Sequence, residues 1–249
     1  MRLDKFLSQT GAGSRNEVKQ AIRKGLVSVN GSIIKDASAR VAEEKDAVCF
    51  KGQLFSFTKY HYYMLYKPAG VVTATKDSRQ KTVLDLLTDI PVKGLFPVGR
   101  LDKDTEGLLL LTDDGALAHN LLAPKKHVDK TYLAEISIPL SVEAADALRR
   151  GVDIGEKKLT APAKVELIEE KRILITIQEG RYHQIKRMLK AVGNEVLYLK
   201  RLSMGGLVLD ENLRKGEFRP LREAEIEVLK KEYAHDDKRE STEEKTAGI

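Results

Sequence analysis

The hydrophobic pattern of this chain switches repeatedly between a helical period and a strand period. Leu3, Phe6 and Leu7 make an i, i+3, i+4 stripe that predicts a short first helix, broken by Gly11-Ala12-Gly13. Ser14-Arg15-Asn16-Glu17 has the form of a capping box, in which each end satisfies the other's orphan backbone donor. The helix it opens is predicted to reach Lys24 and stop at Gly25, a natural left-handed cap. Val18, Ala21 and Ile22 fall on its inner face, while Arg15, Lys19 and Arg23, four residues apart, share a basic one. Leu26 to Val29 alternates as a strand, Asn30-Gly31 signals a type I′ hairpin, and Ser32-Ile33-Ile34 is the return. Ala47 to Phe50 reads as a further strand and residues 51–60 as a linker.

Beyond the linker the pattern predicts strands at Tyr62–Tyr66 and Val71–Thr75 around a Lys67-Pro68-Ala69-Gly70 turn, then a short helix at Val83–Leu87. Phe96-Pro97-Val98 leads into a polar loop that begins at Gly99. Leu108 to Leu111 leaves that loop as a buried strand, and Asp113-Asp114-Gly115 turns the chain into a helix, Ala116–Leu122. Strands are expected at Lys130–Ile138, Lys164–Ile168 and Arg172–Gln178, and a helix at Val142–Arg150. After Glu179-Gly180 a last helix carries Ile185, Met188, Leu189 and Val192 on one stripe and closes at Gly193. Strands that mostly follow one another, with scattered helices, predict an α+β fold whose larger sheet is mixed and mainly antiparallel. The expected division is a helix-helix-hairpin domain at 1–50, the linker at 51–60, a larger domain at 61–232 and a disordered polar tail at 233–249.

Charge sharpens this picture. The 249 residues carry a net charge of +6, and residues 1–35 hold seven Lys or Arg against two acids. The positive excess is therefore concentrated in the first module, which favours a phosphate-bearing partner. Cys49 is the only cysteine, so no intrachain disulfide is possible, and its place in a strand predicts a buried, inert thiol. The N-terminal residues lack the apolar core of a signal peptide, and no window has the length of a membrane helix. A cytoplasmic protein without membrane contact is expected.

The densest chemistry lies in Gly99-Arg100-Leu101-Asp102-Lys103-Asp104-Thr105-Glu106-Gly107. The spacing of Asp102, Asp104 and Glu106 imitates the start of a calcium loop, but leucines fill the later positions and the closing Glu is absent. Asp104 and Glu106 read as solvated loop acids. Arg100 and Asp102 should share one side of the loop while Leu101 points the other way. The five histidines show no ligand spacing, so neither a metal nor a cofactor is expected. Alone, Tyr132 reads as a core tyrosine, and Lys186, Arg187 and Lys190 as the solvated face of an amphipathic helix.

Taken together, two sets of motifs resemble known families. Arg2-Leu3-Asp4, Gly13-Ser14-Arg15, Gly25 to Gly31 and Val48 resemble the RNA-binding domain first seen in small-subunit ribosomal protein S-four. Gly99-Arg100-Leu101-Asp102, Gly107 to Thr112 with Asp114-Gly115, Lys130-Thr131-Tyr132 and Glu179 to Met188 resemble the RsuA-type ribosomal RNA pseudouridine synthases. Met64-Leu65-x-Lys67-Pro68-x-Gly70 and Val192-Gly193-Asn194 agree with that resemblance, which spans residues 1 to about 230. It implies that Asp102 is the essential carboxylate, that Tyr132 packs on the target uracil, and that Lys186, with Arg187 as the second choice, pairs with the aspartate. It further implies RNA contacts from Arg2, Lys5, Arg15, Lys19, Arg23 and Lys24 in the first module. Lys67, Arg100, Arg181, His183 and Arg187 would supply those of the second. The expected activity is isomerisation of a uridine in ribosomal RNA, small-subunit rather than large-subunit, by a monomer acting on rRNA or an assembly intermediate. A non-catalytic assembly factor and a hydrolase are the competing readings.

Overall fold

The computed structural model describes residues 1–43, 45–55, 60–90 and 92–231, and the chain divides into two units, Met1–Lys59 and Tyr60–Ile249. In the first unit the two helical stripes meet. Helices α1 (Leu3–Gln9) and α2 (Arg15–Arg23) bury Leu3, Phe6, Leu7, Val18 and Ile22 in one core with Val27 and Val48. The capping box forms as its sequence requires: the Ser14 hydroxyl accepts the Glu17 N–H, and the Glu17 carboxylate accepts that of Ser14 at 2.8 Å. Strands β1 (Val27–Val29), β2 (Ser32–Ile33), β3 (Val48–Phe50) and β4 (Gln53–Phe55) form a sheet in the order β2-β1-β3-β4. Asn30 and Gly31 both take positive φ, 51° and 82°, as a type I′ turn demands.

The expected linker is corrected here. Lys51 and Gly52 repeat the positive-φ pair (50° and 81°) and fold residues 53–55 back onto β3. A lysine in the first turn position, where Asn or Asp gives the usual signal, conceals this second hairpin from a sequence reading. Cys49 lies on β3 half-buried, not fully buried as expected. Residues 56–59 of the linker and the tail at 233–249 lie outside the described residues.

The second unit is built on a nine-stranded sheet. Its strands are β5 (Tyr62–Lys67), β6 (Phe96–Pro97), β7 (Glu106–Thr112), β8 (Lys130–Ile136), β9 (Lys164–Glu169), β10 (Arg172–Ile177), β11 (Val196–Met204), β12 (Leu207–Val208) and β13 (Phe218–Pro220). The path β13-β5-β7-β11-β8-β10-β9 is antiparallel except where β7 and β11 run parallel, with β6 and β12 added on β7 and β11. Helices α3 (Gly115–Leu122), α4 (Val142–Arg150) and α5 (Gln184–Ala191) flank it. The run of four leucines is buried on both sides because β7 is central. Leu108 and Leu110 pack with Leu117 and Leu121 of α3, whereas Leu109 and Leu111 pack with Leu65, Val83 and Leu95.

Two local expectations differ, and one strand is unexpected. Residues 71–75 form no strand: only Val72 is bridged, to Thr82, so this β-branched run lacks a ladder. The helix expected at Val83–Leu87 is one 3₁₀ turn, Leu84–Leu86. Strand β11, which joins the two halves of the sheet, was not anticipated at all. Among the described residues, no helix is long and apolar enough to cross a membrane, and no cluster of three or more His, Cys, Asp or Glu is placed to hold a metal.

Candidate active site

The loop before β7 is held from three directions. Gly107 has φ +103°, and a Cβ there would stand 2.2 Å from the Arg201 carbonyl oxygen. Only glycine therefore lets the loop end where β7 and β11 pair. Leu101 is buried, and its backbone is clasped by Thr73, whose hydroxyl donates to the Leu101 carbonyl (2.7 Å) and accepts its N–H (3.2 Å). Beneath the loop the Lys67 ammonium, 0 % exposed, donates to the carbonyls of Pro68 (3.0 Å), Lys103 (3.2 Å) and Thr105 (2.8 Å). Burial pushes Lys67 down to about 8 against the pull of Asp104 and Asp102. Lys67 was expected to meet RNA. Its three N–H groups are instead spent on main-chain oxygens, so it shapes the loop from below.

Asp102 thereby faces a cavity of about 740 Å³ whose walls include Arg100, Tyr132, His183, Lys186 and Arg201. Its side chain is 26 % exposed, with Lys186 Nζ 3.5 Å from one carboxylate oxygen and His183 Nε2 3.5 Å from the other. Lys186 is, however, held more closely by Asp104, at 2.6 and 2.7 Å. The expectation of a solvated Asp104 is therefore half right. Its side chain is 72 % exposed, yet it grips the cation assigned to Asp102. That hydrogen bond keeps the Asp104 carboxyl below its usual range. Lys186 thus stands between two carboxylates, nearer to Asp104 than to Asp102.

Tyr132 is buried on β8, in register with Arg201 of β11 and Ile175 of β10. Arg100 is exposed on the cavity wall and forms no ion pair with Asp102 among the described residues. Arg187, the second choice as the aspartate's partner, points elsewhere: it bonds Glu156 (2.6 Å) and the carbonyls of Tyr182 and Ile154. Arg181 is likewise committed, to Glu179 (3.0 Å) and the carbonyls of Lys158 and Leu159, both at 2.8 Å. Both arginines were expected at the RNA. In the structure they tie the 179–187 segment to the 154–159 loop. In the first unit Lys5, Arg15, Arg23 and Lys24 are exposed, whereas Arg2 chelates the buried Asp4 (3.0 and 3.1 Å) and Lys19 lies 4.0 Å from it.

Sequence reasoning missed three polar groups here. Arg201 is only 2 % exposed; its Nε donates to the Leu108 carbonyl at 2.8 Å, while Nη2 is buried with no hydrogen-bond partner among the described residues. Lys130, beside it, is driven to about 8 by burial and by the Arg201 charge. Glu106, expected in solvent, is buried at the start of β7. Burial would raise its carboxyl, but hydrogen bonds from Lys215 (3.0 Å) and Tyr198 (2.7 Å) outweigh it and hold it low. Charged residues default to the surface in a sequence reading, and the partners of Glu106 lie about a hundred residues away. The one usable signal is the strand-like run Val196 to Leu199, which would have placed Arg201 in a sheet.

Comparison with known proteins adds an independent line. The RNA pseudouridylate synthase family model matches residues 61–191, and the S4 domain model matches residues 1–48. A Bacillus subtilis protein named "Uncharacterized RNA pseudouridine synthase YtzG" is 48% identical over 239 residues, covering 94% of this chain and 100% of the relative. The "Ribosomal small subunit pseudouridine synthase A" of Haemophilus influenzae is 42% identical over 234 residues (93% and 100% covered), and that of Escherichia coli 42% over 227 (91% and 98%). A crystal structure titled as that of a pseudouridylate synthase superposes with a TM-score of 0.66 at 40% identity, over 92% of this chain and 99% of the other.

Proposed function

The chain belongs to the RNA pseudouridylate synthase family, isomerases that convert uridine to pseudouridine in RNA, and on that premise we propose that its substrate is one uridine of small-subunit ribosomal RNA. The relatives named small-subunit synthases support this choice of target. The observation that carries the catalytic reading is convergence: Asp102, Tyr132 and Lys186, from three distant parts of the sequence, line one cavity.

The reaction breaks the bond between N1 of uracil and C1′ of ribose and forms one from C5 to C1′. The C5 hydrogen leaves as a proton and N1 gains one, so no redox partner or group donor is consumed. Asp102 is the group that acts on the reacting uridine, with Lys186 supplying the positive charge that a half-buried carboxylate needs once substrate excludes water. Tyr132 packs on the uracil while it is detached and turned, and its hydroxyl is the candidate for the proton step. The uridine must leave its helix to reach this cavity, at a cost of roughly a few kcal/mol. Cations of the S4 unit offset that cost by contacting phosphates, and the substrate is rRNA or a subunit assembly intermediate met by a monomer in the cytoplasm.

The test is tritium release from small-subunit rRNA labelled at uridine C5. The wild-type protein releases one equivalent per RNA; Asp102→Asn retains RNA binding but loses activity by at least about 10³-fold. No release by the wild type would leave an rRNA-binding assembly factor, and free uracil among the products would make the protein a hydrolase.

A further inference from the structure

Tyr182 is a residue the site so far leaves unused. Its side chain lies at the rim of the cavity that holds Asp102, and the residue is 76 % exposed. A single exposed tyrosine needs no explanation by itself. This one differs in how it is held. Its ring stacks on His183 with centroids 3.8 Å apart and planes 18° from parallel, and exposure of this size leaves the opposite face in solvent. His183 takes a left-handed conformation (φ +48°) to open α5, and its Nε2 lies 3.5 Å from Asp102. A non-glycine residue held there is strained, and such strain persists only where surrounding contacts impose it.

Those contacts are present. Arg187 donates to the Tyr182 carbonyl at 3.1 Å, and the Arg181 N–H reaches the Gln184 side chain at 2.9 Å. The buried Gln184 in turn donates to Glu179 at 2.7 Å. The main chain of the turn is thus braced on both sides of Tyr182 while the ring stands in water. The exposed ring is a fixed feature rather than the end of a loose loop.

We propose that Tyr182, seated on His183, is a stacking platform for the nucleobase next in sequence to the extruded uridine. Flipping one nucleotide out of an RNA stack strips its neighbour of a partner on one face. A flat aromatic face at the cavity mouth replaces that partner and lowers the cost of extrusion. Stacking of this kind tolerates any base, and it gains with overlap, so a purine neighbour binds best. The inference rests on the uridine-in-RNA reading above.

Steady-state kinetics on C5-tritiated small-subunit rRNA test it. Tyr182→Ala raises KM by about tenfold or more, the scale of one base–aromatic stack, while kcat changes less than about threefold. Tyr182→Phe restores KM because it keeps the face, and Tyr182→Leu does not because it keeps only apolar bulk. Thermal melting of all three stays near the wild-type value, since the ring covers no core. An unchanged KM in Tyr182→Ala overturns the platform, as does a loss confined to kcat, which would make the ring a support for His183. Rescue by Leu equal to that by Phe overturns stacking. If the wild type itself releases no tritium, the uridine reading fails first and the platform falls with it.

Discussion

Cations are used in opposite ways in the two units. In the N-terminal unit Lys5, Arg15, Arg23 and Lys24 are exposed and make no ion pair among the described residues, so their charge is available to phosphates. In the larger unit Lys67, Arg181, Arg187 and Arg201 are spent on carbonyls and carboxylates of the same chain. The first arrangement costs little and yields affinity that added salt erodes. The second fixes loops around Asp102, where displacement by an ångström costs rate. A basic protein that binds nucleic acid need not aim all of its cations at the ligand.

The contrast is sharpest at Lys186, which combines both roles. Lys186→Met is expected to lower kcat on the order of 10²-fold while leaving the melting temperature near wild type, with partial recovery in Lys186→Arg. A full-rate Lys186→Met would place this cation with the solvated set. Reversing Arg15, Lys19 and Arg23 together to Glu should weaken rRNA binding by about 10- to 100-fold, with kcat at saturating RNA retained. The salt slope should flatten by roughly 0.7 to 0.9 for each phosphate that is no longer neutralised. An equal salt slope in filter-binding titrations would end the claim that the first unit's charge faces phosphate.

Lys67 provides a stability test in place of a binding one. Lys67→Met leaves three carbonyls without a donor and should cost about 1 to 3 kcal/mol in urea denaturation. The last effect concerns pH. Lys67 and Lys130 both sit near 8 when folded, below the ordinary lysine value of 10.5, so between those limits the unfolded chain binds more protons than the folded one. Stability at these sites therefore rises as pH climbs from about 8 toward 10.5, and Lys130→Met should reduce that rise. A rise of undiminished slope in Lys130→Met would mean that residue is not a buried ammonium.

Much of the scaffold was legible because its causes are local. The stripe of Leu3, Phe6 and Leu7, the Ser14–Glu17 box and the Asn30-Gly31 turn each state their geometry within a few residues, and each formed. Leu108 to Leu111 likewise announced a buried strand. Failures came where the local signal was unusual or the partner remote. Lys51-Gly52 turned without an Asn, and the β-branched run at 71–75 paired only through the single bridge from Val72 to Thr82. Asp102, Tyr132 and Lys186 were singled out by motif resemblance. That Asp104 would hold Lys186 from 82 residues away was not legible.

From its order of residues alone the chain determined its longer helices, its Asn30-Gly31 hairpin, its basic first module and the loop that presents an acid. Tertiary structure alone decided which charges face solvent and which are consumed inside: Lys67 under the loop, Arg201 in the cavity wall, Glu106 between Tyr198 and Lys215. The reason is one of range. Backbone preference and side-chain periodicity act over a turn or two of chain, whereas a buried charge is tolerated only where distant segments bring it partners.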